Sequence, residues 1–411
     1  MSIAKNKNRF FILCFITYAT AYLCRLNLSV ALEKMGSGLG LGSSESLTLL
    51  GTSFFIVYAL SQLICGFAGD KVNAVKFVTI SVCGLTASNF LISQMTSFIP
   101  VLLLWCCNAV FQAMLWGPMM RMLSMVFPPE AKTKLTLGMT ISQICGYILT
   151  WGGLGQLLLD SAWKNYFLIP SLIAVISAAA WLYISFSVKD IEPNTDVAKI
   201  KKLSTRQAIS IMIKDKLYLT CIMSILSGII KESFSMWAPI ILTMLLGINV
   251  KTSLLFLMMF PFGQTVGSLL SAFLHKKFTK SIYTPLIISY SIMAVICLMF
   301  FIPNISVVAT VLLMVLVCAL CNCSGCTFFG IIPLSYSKDG MVSTLAGMFD
   351  FCSYVGSAIS SFVLAILLSS DNIIPLVILW GCMAIASIIL AVIMKSQSGD
   401  CAASVDSVTS V

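Results

Sequence analysis

The chain is dominated by apolar runs of about 20 residues or more, separated by short polar breaks. A run of that length crosses a bilayer as an α-helix, whereas a membrane β-barrel needs alternating segments of about ten residues. Only 10% of the residues are charged, against about a quarter in a soluble domain. The sequence therefore predicts an all-α membrane protein whose solvent is lipid.

The runs between polar breaks predict twelve transmembrane helices in two pseudo-symmetric bundles of six. The predicted spans are 10–32, 46–68, 76–95, 98–127, 135–159 and 162–188, then 215–246, 252–274, 281–302, 305–334, 341–368 and 373–394. The predicted domains are an N-terminal tail (1–9), an N-terminal bundle (10–188), a linker (189–214), a C-terminal bundle (215–394) and a C-terminal tail (395–411). Within the linker, residues 203–216 are predicted to form a helix on the cytoplasmic surface.

The basic residues are distributed unevenly among the loops. Of the 25 lysines and arginines, three lie well inside spans and three in one set of alternate loops; the other 19 lie in the opposite loops, at the span ends beside them, and in the tails. Because cytoplasmic loops carry the excess of positive charge, this asymmetry favours an even number of helices with both termini in the cytoplasm. Topology thus accounts for the net charge of +10, and we expect no nucleic-acid partner.

Two cations lie deep within predicted helices. Arg25 follows about 15 residues of the first helix and Lys231 about 16 of the seventh, which places both about 22–24 Å from the cytoplasmic end. A shift of 206 residues superposes Arg25 on Lys231 and 67–71 on 273–277, as an internal duplication would. A cation at that depth costs several kcal/mol unless it meets water or an anion. We expect the two cations to face each other across the central axis and bind a small anionic substrate.

The deep carboxylates are Glu232 and Asp350. One interpretation is proton coupling, since a buried carboxylate near a lysine gains or loses a proton as substrate binds. The other is charge compensation of Lys231, and the sequence leaves both open.

The spans and one loop carry short motifs. In chain order these are Tyr18-x-x-x-Tyr22-x-x-Arg25-x-Asn27, Gly66-x-x-x-Asp70-Lys71-x-Asn73, Phe111-Gln112-x-Met114-x-Trp116-x-Pro118-x-x-Arg121, Glu130, Gly146, Trp237-x-Pro239, and Ala346-Gly347 through Tyr354 and Gly356. Together they resemble the organophosphate:phosphate antiporters of the major facilitator superfamily over essentially the whole chain. The loop motif is typical of the superfamily, whereas the helix 1 and helix 4 motifs are more specific to the antiporters.

The resemblance implies exchange of a phosphorylated C3 or sugar compound for inorganic phosphate by alternating access. In that family two arginines, one in each half, grip the phosphate. Arg25 matches the first, and Lys231 replaces the second, which keeps the charge but loses the bidentate fork. The resemblance also places Tyr18, Tyr22 and Tyr58 near the substrate.

Three further positions in the expected substrate site depart from the family pattern. Gln62 stands where the glycerol-phosphate branch has a lysine, Gln143 where it has a histidine, and Glu232 replaces a neutral aromatic residue.

Residues 25–31 also resemble the related anion:cation symporters for sialic acid, hexuronates or glutamate. The alternative function is therefore a proton-coupled symporter of an organic carboxylate.

The loop motif predicts a gate. Gly66 allows close approach of helices, and Asp70, beside Lys71, is expected to meet a helix N-terminus and control the state of the transporter. Arg121 lies near the cytoplasmic end of helix 4, where we expect it to snorkel or to lock that helix. The only histidine, His275, is expected to be solvated in a cytoplasmic loop.

The sequence contains no G-x-x-x-x-G-K-[ST] loop, which argues against an ATP-driven pump. We expect no enzymatic activity, cofactor or metal, and a multi-pass monomer in a bacterial cytoplasmic membrane. A non-transporting membrane sensor is a third hypothesis, since the resembled family has receptor-like members.

Overall fold

The computed structural model describes residues 7–39, 44–158, 161–187, 204–234, 241–242, 247, 256–278, 281–367 and 373–406. Every regular element within these ranges is a helix. Among the described residues, eight helical segments are long and apolar enough to cross a membrane. The all-α fold class is confirmed, while the count of twelve and the cytoplasmic termini stay predictions.

The chain forms two compact units. Unit 1 comprises Met1–Ser204 and Pro333–Phe351, and unit 2 comprises Thr205–Ile332 and Cys352–Val411. The helices before the linker are α1 (Lys7–Gly38), α2 (Ser44–Gly69), α3 (Ala74–Gln94), α4 (Phe98–Ala113), α5 (Trp116–Val126), α6 (Lys132–Ile148) and α7 (Asn165–Ser187). The helices from the linker onward are α8 (Thr205–Lys214), which lies within the linker, α9 (Leu217–Glu232), α10 (Met259–Lys277), α11 (Tyr283–Met299), α12 (Val307–Cys326), α13 (Val342–Leu367) and α14 (Ile374–Asp406). The first part of α13 belongs to unit 1, and the predicted domain boundaries stay a prediction.

Three of the predicted spans contain irregular turns within the described residues. The predicted span 98–127 breaks between α4 and α5, where Leu115 N–H donates to the carbonyl of Gln112. After α12 the chain makes a π turn over Thr327–Ile331 before the short helix Ile332–Ser335. A second π turn, Leu149–Leu154, follows α6. Such turns inside helices occur frequently at functional sites.

The prediction for His275 was wrong. It lies in the last turn of α10, which continues to Lys277, and it is buried. Its Nε2 is 2.8 Å from the Thr327 hydroxyl at the start of the π turn. The apolar pattern ends before His275, so hydropathy alone places the helix end a turn too early, although a packed helix end still buries a histidine that has a hydrogen-bond partner.

Candidate anion-binding site

Arg25 of α1 is surrounded by aromatic rings in unit 1. Its Cζ atom lies 4.4 Å from the ring centre of Tyr58, 5.2 Å from that of Phe54 and 5.4 Å from that of Tyr22. Phe54 and Tyr58 are four residues apart, so both project from the same face of α2. These contacts place the cation over the faces of aromatic rings, and the five N–H donors of a guanidinium suit an oxyanion.

The aromatic cluster continues beyond these three rings. The Tyr18 ring lies 5.2 Å from that of Tyr22 and 5.0 Å from that of Trp116, the first residue of α5. Tyr147 of α6 lies 5.6 Å from Tyr22. The structure therefore brings the tyrosines expected in the substrate site together around Arg25.

The Tyr58 hydroxyl connects this cluster to two polar side chains. Gln62 Nε2 donates to it at 2.6 Å, and the hydroxyl donates to Asp350 Oδ2 at 3.3 Å. Asp350 is only 9% exposed, and it lies in the part of α13 that belongs to unit 1. A carboxylate is thus joined to the Arg25 cluster through one tyrosine, and the pairing of Asp350 with Lys231 stays a prediction. Gln143 is half-buried on α6, and its role also stays a prediction.

Lys231, in the last turn of α9, lies against two rings of unit 2. Its Nζ is 5.0 Å from the ring centre of Tyr354 and 5.5 Å from that of Phe329. Phe329 is presented by the π turn after α12. The side chain of Glu232 and the residues 237–239 lie outside the described part of the chain.

Each unit contains a close contact between a helix glycine and a backbone carbonyl of the neighbouring helix. Gly146 of α6 packs on the carbonyl of Ala19, and Gly356 of α13 packs on the carbonyl of Ile225. Ala19 and Ile225 are 206 residues apart, the same separation as Arg25 and Lys231. These matching contacts support the inference that the two cations occupy equivalent positions of a duplicated unit.

The loop motif also has a definite geometry within unit 1. The carboxylate of Asp70 accepts hydrogen bonds from the backbone N–H groups of Ser343 (3.0 Å) and Thr344 (2.6 Å), in the first turn of α13. A carboxylate at a helix N-terminus neutralises the orphan donors and the positive end of the dipole. Burial raises the pKa of Asp70, and the hydrogen bonds from Thr344 and Ser343 and the charge of Arg121 offset part of that rise.

Arg121 locks α5 onto the loop that follows α2. Its Nη1 donates to the carbonyls of Gly69 at 2.6 Å and Val72 at 2.9 Å, and its Nε lies 4.0 Å from Asp70. The backbone of Gly66 packs directly on Gly347 of α13, where a Cβ atom would crowd the helix. Lys71 is exposed beside this contact, and gating by the motif stays a prediction.

Replacing Asp70 with alanine is expected to speed amide hydrogen exchange at Ser343 and Thr344 by about tenfold, because both donors lose a charged acceptor. Exchange measured by mass spectrometry on peptides of that region checks this. The control is Asp339→Ala, in an exposed turn nearby, which should leave the exchange unchanged. Equal exchange in all three proteins would refute the carboxylate cap.

Sequence reasoning missed Phe54, Phe329 and the buried asparagines Asn89 and Asn108. The sequence held a signal for Phe54 and for the two asparagines. Phe54 lies four residues from Tyr58, which predicts a shared helix face. The two asparagines are polar residues inside apolar spans, where side-chain amides seldom occur without a hydrogen-bonding role. No comparable signal marks Phe329, whose position depends on the π turn.

The Major Facilitator Superfamily model matches residues 14–361. Membrane sensor protein UhpC of Escherichia coli (strain K12) is 20% identical, covering 62% of this chain and 61% of the sensor. The Glycerol-3-phosphate transporter of Bacillus subtilis (strain 168) is 24% identical, covering 67% of this chain and 66% of the relative. A Probable hexose phosphate transport protein of Chlamydia trachomatis is 26% identical, and the match covers 41% of this chain and 37% of that protein. The chain thus spans less than two thirds of the length of each of these relatives.

Solved structures with the same fold include the Major Facilitator Superfamily transporter FucP in the outward conformation. It has a TM-score of 0.70 at 14% identity and covers 93% of this chain and 98% of its own. The E. coli Fucose:proton symporter FucP (N162A) matches with the same score. At that identity the likeness concerns the fold alone. With the family match over most of its length, the chain belongs to the Major Facilitator Superfamily and is a multi-pass membrane protein.

Proposed function

We propose that the protein is a secondary antiporter that exchanges a phosphate ester, such as a sugar phosphate or glycerol phosphate, for inorganic phosphate by alternating access. The observation that carries the proposal is the Arg25 guanidinium held by the rings of Tyr22, Phe54 and Tyr58. The rings limit the movement of this guanidinium, whose planar fork of N–H donors matches a phosphate oxygen pair. The relatives from Bacillus and Chlamydia, a Glycerol-3-phosphate transporter and a Probable hexose phosphate transport protein, support the same class of anion.

Lys231 supplies the second positive charge in this proposal. Its ammonium group is a compact point charge on a flexible stem, so it attracts the anion without fixing its orientation. Arg25 therefore orients the phosphate, and Lys231 adds affinity. Gln62 and Gln143 stand where the resembled family has a lysine and a histidine. Arg25 and Lys231 are therefore the deep cations of the proposed substrate site.

Proteoliposomes loaded with inorganic phosphate test the proposal directly. They should accumulate radiolabelled glycerol 3-phosphate or glucose 6-phosphate, and vesicles without internal phosphate should accumulate far less, because exchange needs a counter-substrate. External phosphate should compete with the ester. Uptake that ignores phosphate on both sides of the membrane would exclude antiport.

A second candidate is the proton-coupled symport of an organic carboxylate, which the Tyr58–Asp350 hydrogen bond favours. A carboxylate tied to the Arg25 cluster is placed to exchange a proton as an anion binds. An imposed pH gradient should then drive uptake of a uronate, and Asp350→Asn should abolish that response. Phosphate exchange without any response to the gradient eliminates this candidate.

A third candidate is a membrane sensor, which is what the Escherichia relative is called. Such a protein would bind a phosphate ester without moving it across the membrane.

The relatives reported above are bacterial, which supports a bacterial cytoplasmic membrane as the location. We propose the monomer as the working unit, because each cation lies within one chain together with its aromatic neighbours.

A further inference from the structure

A network of side-chain amides lies beside Arg25 in unit 1. Asn27 Nδ2 of α1 donates to Asn89 Oδ1 of α3 at 2.8 Å. Asn89 Nδ2 lies 3.3 Å from Asn108 Oδ1 of α4. All three asparagines have no exposed surface. Three amides in a fully buried cluster are costly unless each finds partners, so the network specifies how these helices pack.

The network also holds the backbone of α1. The amide nitrogens of Asn89 and Asn108 donate to the carbonyl of Cys24 at 3.3 and 3.1 Å. Gln112 Nε2 of α4 donates to the carbonyl of Ala21 at 2.8 Å. These two carbonyls belong to the turn that immediately precedes Arg25. A helical carbonyl has a second lone pair for such a donor.

These bonds define one register for that turn. Advancing α1 by one residue turns it by about 100° and moves it about 1.5 Å. Either movement would separate the amides of Asn108 and Gln112 from their acceptors on α1 and leave those buried donors unpaired. Asn89 Nδ2 would lose Cys24 but keep the carbonyl of Leu85 in its own helix at 3.0 Å. The direction in which Arg25 leaves the helix is therefore set by α3 and α4, and the rings of α2 then hold its guanidinium.

Unit 2 makes the corresponding bond with weaker chemistry. Cys321 Sγ of α12 lies 3.6 Å from the carbonyl of Ser227 on α9. Ser227 precedes Lys231 by four residues, as Ala21 precedes Arg25. A thiol is a weak donor compared with an amide. The turn before Lys231 also accepts a hydroxyl bond, from Ser360 Oγ to the carbonyl of Ile229 at 2.9 Å. Side-chain amides thus donate to the turn before Arg25, whereas a hydroxyl and a thiol donate to the turn before Lys231.

We infer that Asn89, Asn108 and Gln112 are positioning residues, which aim the Arg25 fork at the anion by fixing the register of α1. The inference rests on the proposed function, because it assumes that Arg25 binds the anion. It deepens that function by separating the charge of Arg25 from its orientation.

The test compares Asn108→Leu in two backgrounds, the natural Arg25 and Arg25→Lys. Binding of radiolabelled inorganic phosphate and glycerol 3-phosphate is measured by equilibrium dialysis on purified protein. Loss of the amide should weaken binding about tenfold when Arg25 is present, because a misdirected fork loses a charge-assisted bond. In the Arg25→Lys background it should weaken binding twofold or less, because a point charge on a flexible stem needs no aim.

The matched control is Thr86→Val on α3. Thr86 is buried, but its hydroxyl donates to the carbonyl of Val82 in its own helix at 2.7 Å. It should leave binding unchanged in both backgrounds. If Asn108→Leu does not fold, Gln112→Met removes a single bond and carries the same comparison.

Equal losses in both backgrounds would mean that the network has a structural role alone, and the inference would be overturned. A different result tests the proposed function separately. If Arg25→Lys by itself leaves phosphate binding unchanged, the fork of Arg25 is not the anion ligand.

Discussion

Uptake of a phosphate ester is expected to fall about a hundredfold in Arg25→Ala, because truncating one member of a buried charge pair costs about 3 kcal/mol. In the variant only the neutral hydroxyls of Tyr22 and Tyr58 remain as donors for an oxyanion, and they do not replace the charged fork. Exchange in phosphate-loaded proteoliposomes, normalised to the amount of inserted protein, measures the loss.

Intermediate variants separate charge from geometry. Arg25→Lys keeps the charge and loses the paired donors, so uptake should fall about tenfold. Arg206→Gln, which removes an exposed cation of α8, is the matched control and should stay within about twofold of the natural protein. Normal uptake in Arg25→Ala would remove Arg25 from the substrate site.

The second large effect concerns the crossing of α9 and α13 in unit 2. A Cβ atom at Gly228 would overlap the carbonyl of Ser353, and one at Gly356 would overlap the carbonyl of Ile225. Backbone cannot yield as a flexible side chain does, so Gly228→Ala or Gly356→Ala must separate the helices. We expect a loss of about 3 kcal/mol in the free energy of unfolding.

This separation also has a functional consequence. Lys231 lies three residues after Gly228, and Tyr354 two residues before Gly356, so the contact of 5.0 Å between Lys231 and that ring depends on the crossing. Thermal unfolding followed by tryptophan fluorescence should show a lower midpoint in both variants, and anion binding should weaken in parallel.

Two other glycines provide controls for the added methyl group. A Cβ at Gly153 meets nothing within 4 Å, and one at Gly381 lies 3.8 Å from Cys297 Cβ, an ordinary contact. Gly153→Ala and Gly381→Ala should therefore unfold near the natural midpoint. If Gly356→Ala behaves as they do, the crossing has room for a side chain and the expectation is wrong.

Much of the fold is predictable because the bilayer imposes a strong rule on the chain. Apolar length predicts the helices, and the expense of a charge in lipid singles out Arg25 and Lys231. The linker helix predicted at 203–216 is present as α8, Thr205–Lys214. The break between α4 and α5 also had a signal, because Pro118 clashes with the carbonyl four residues earlier, at Met114.

The rest of the site depends on tertiary packing that local patterns do not contain. Asp350 is joined to Tyr58 although 292 positions separate them in the chain. Its depth suggested Lys231 as a partner, but depth gives no direction around the helix axis. Phe329 reaches Lys231 because the helix widens into a π turn, and that widening follows from packing rather than from composition.

The two cation-bearing turns differ in the side chains that donate to their carbonyls: amides donate to the turn before Arg25, and a hydroxyl and a thiol donate to the turn before Lys231. A gene duplication starts with two identical copies, but later changes accumulate where fewest partners must change together. The two halves have kept a cation at corresponding positions while the donors behind it have come to differ. The charge itself can therefore persist through changes in the side chains that support its helix.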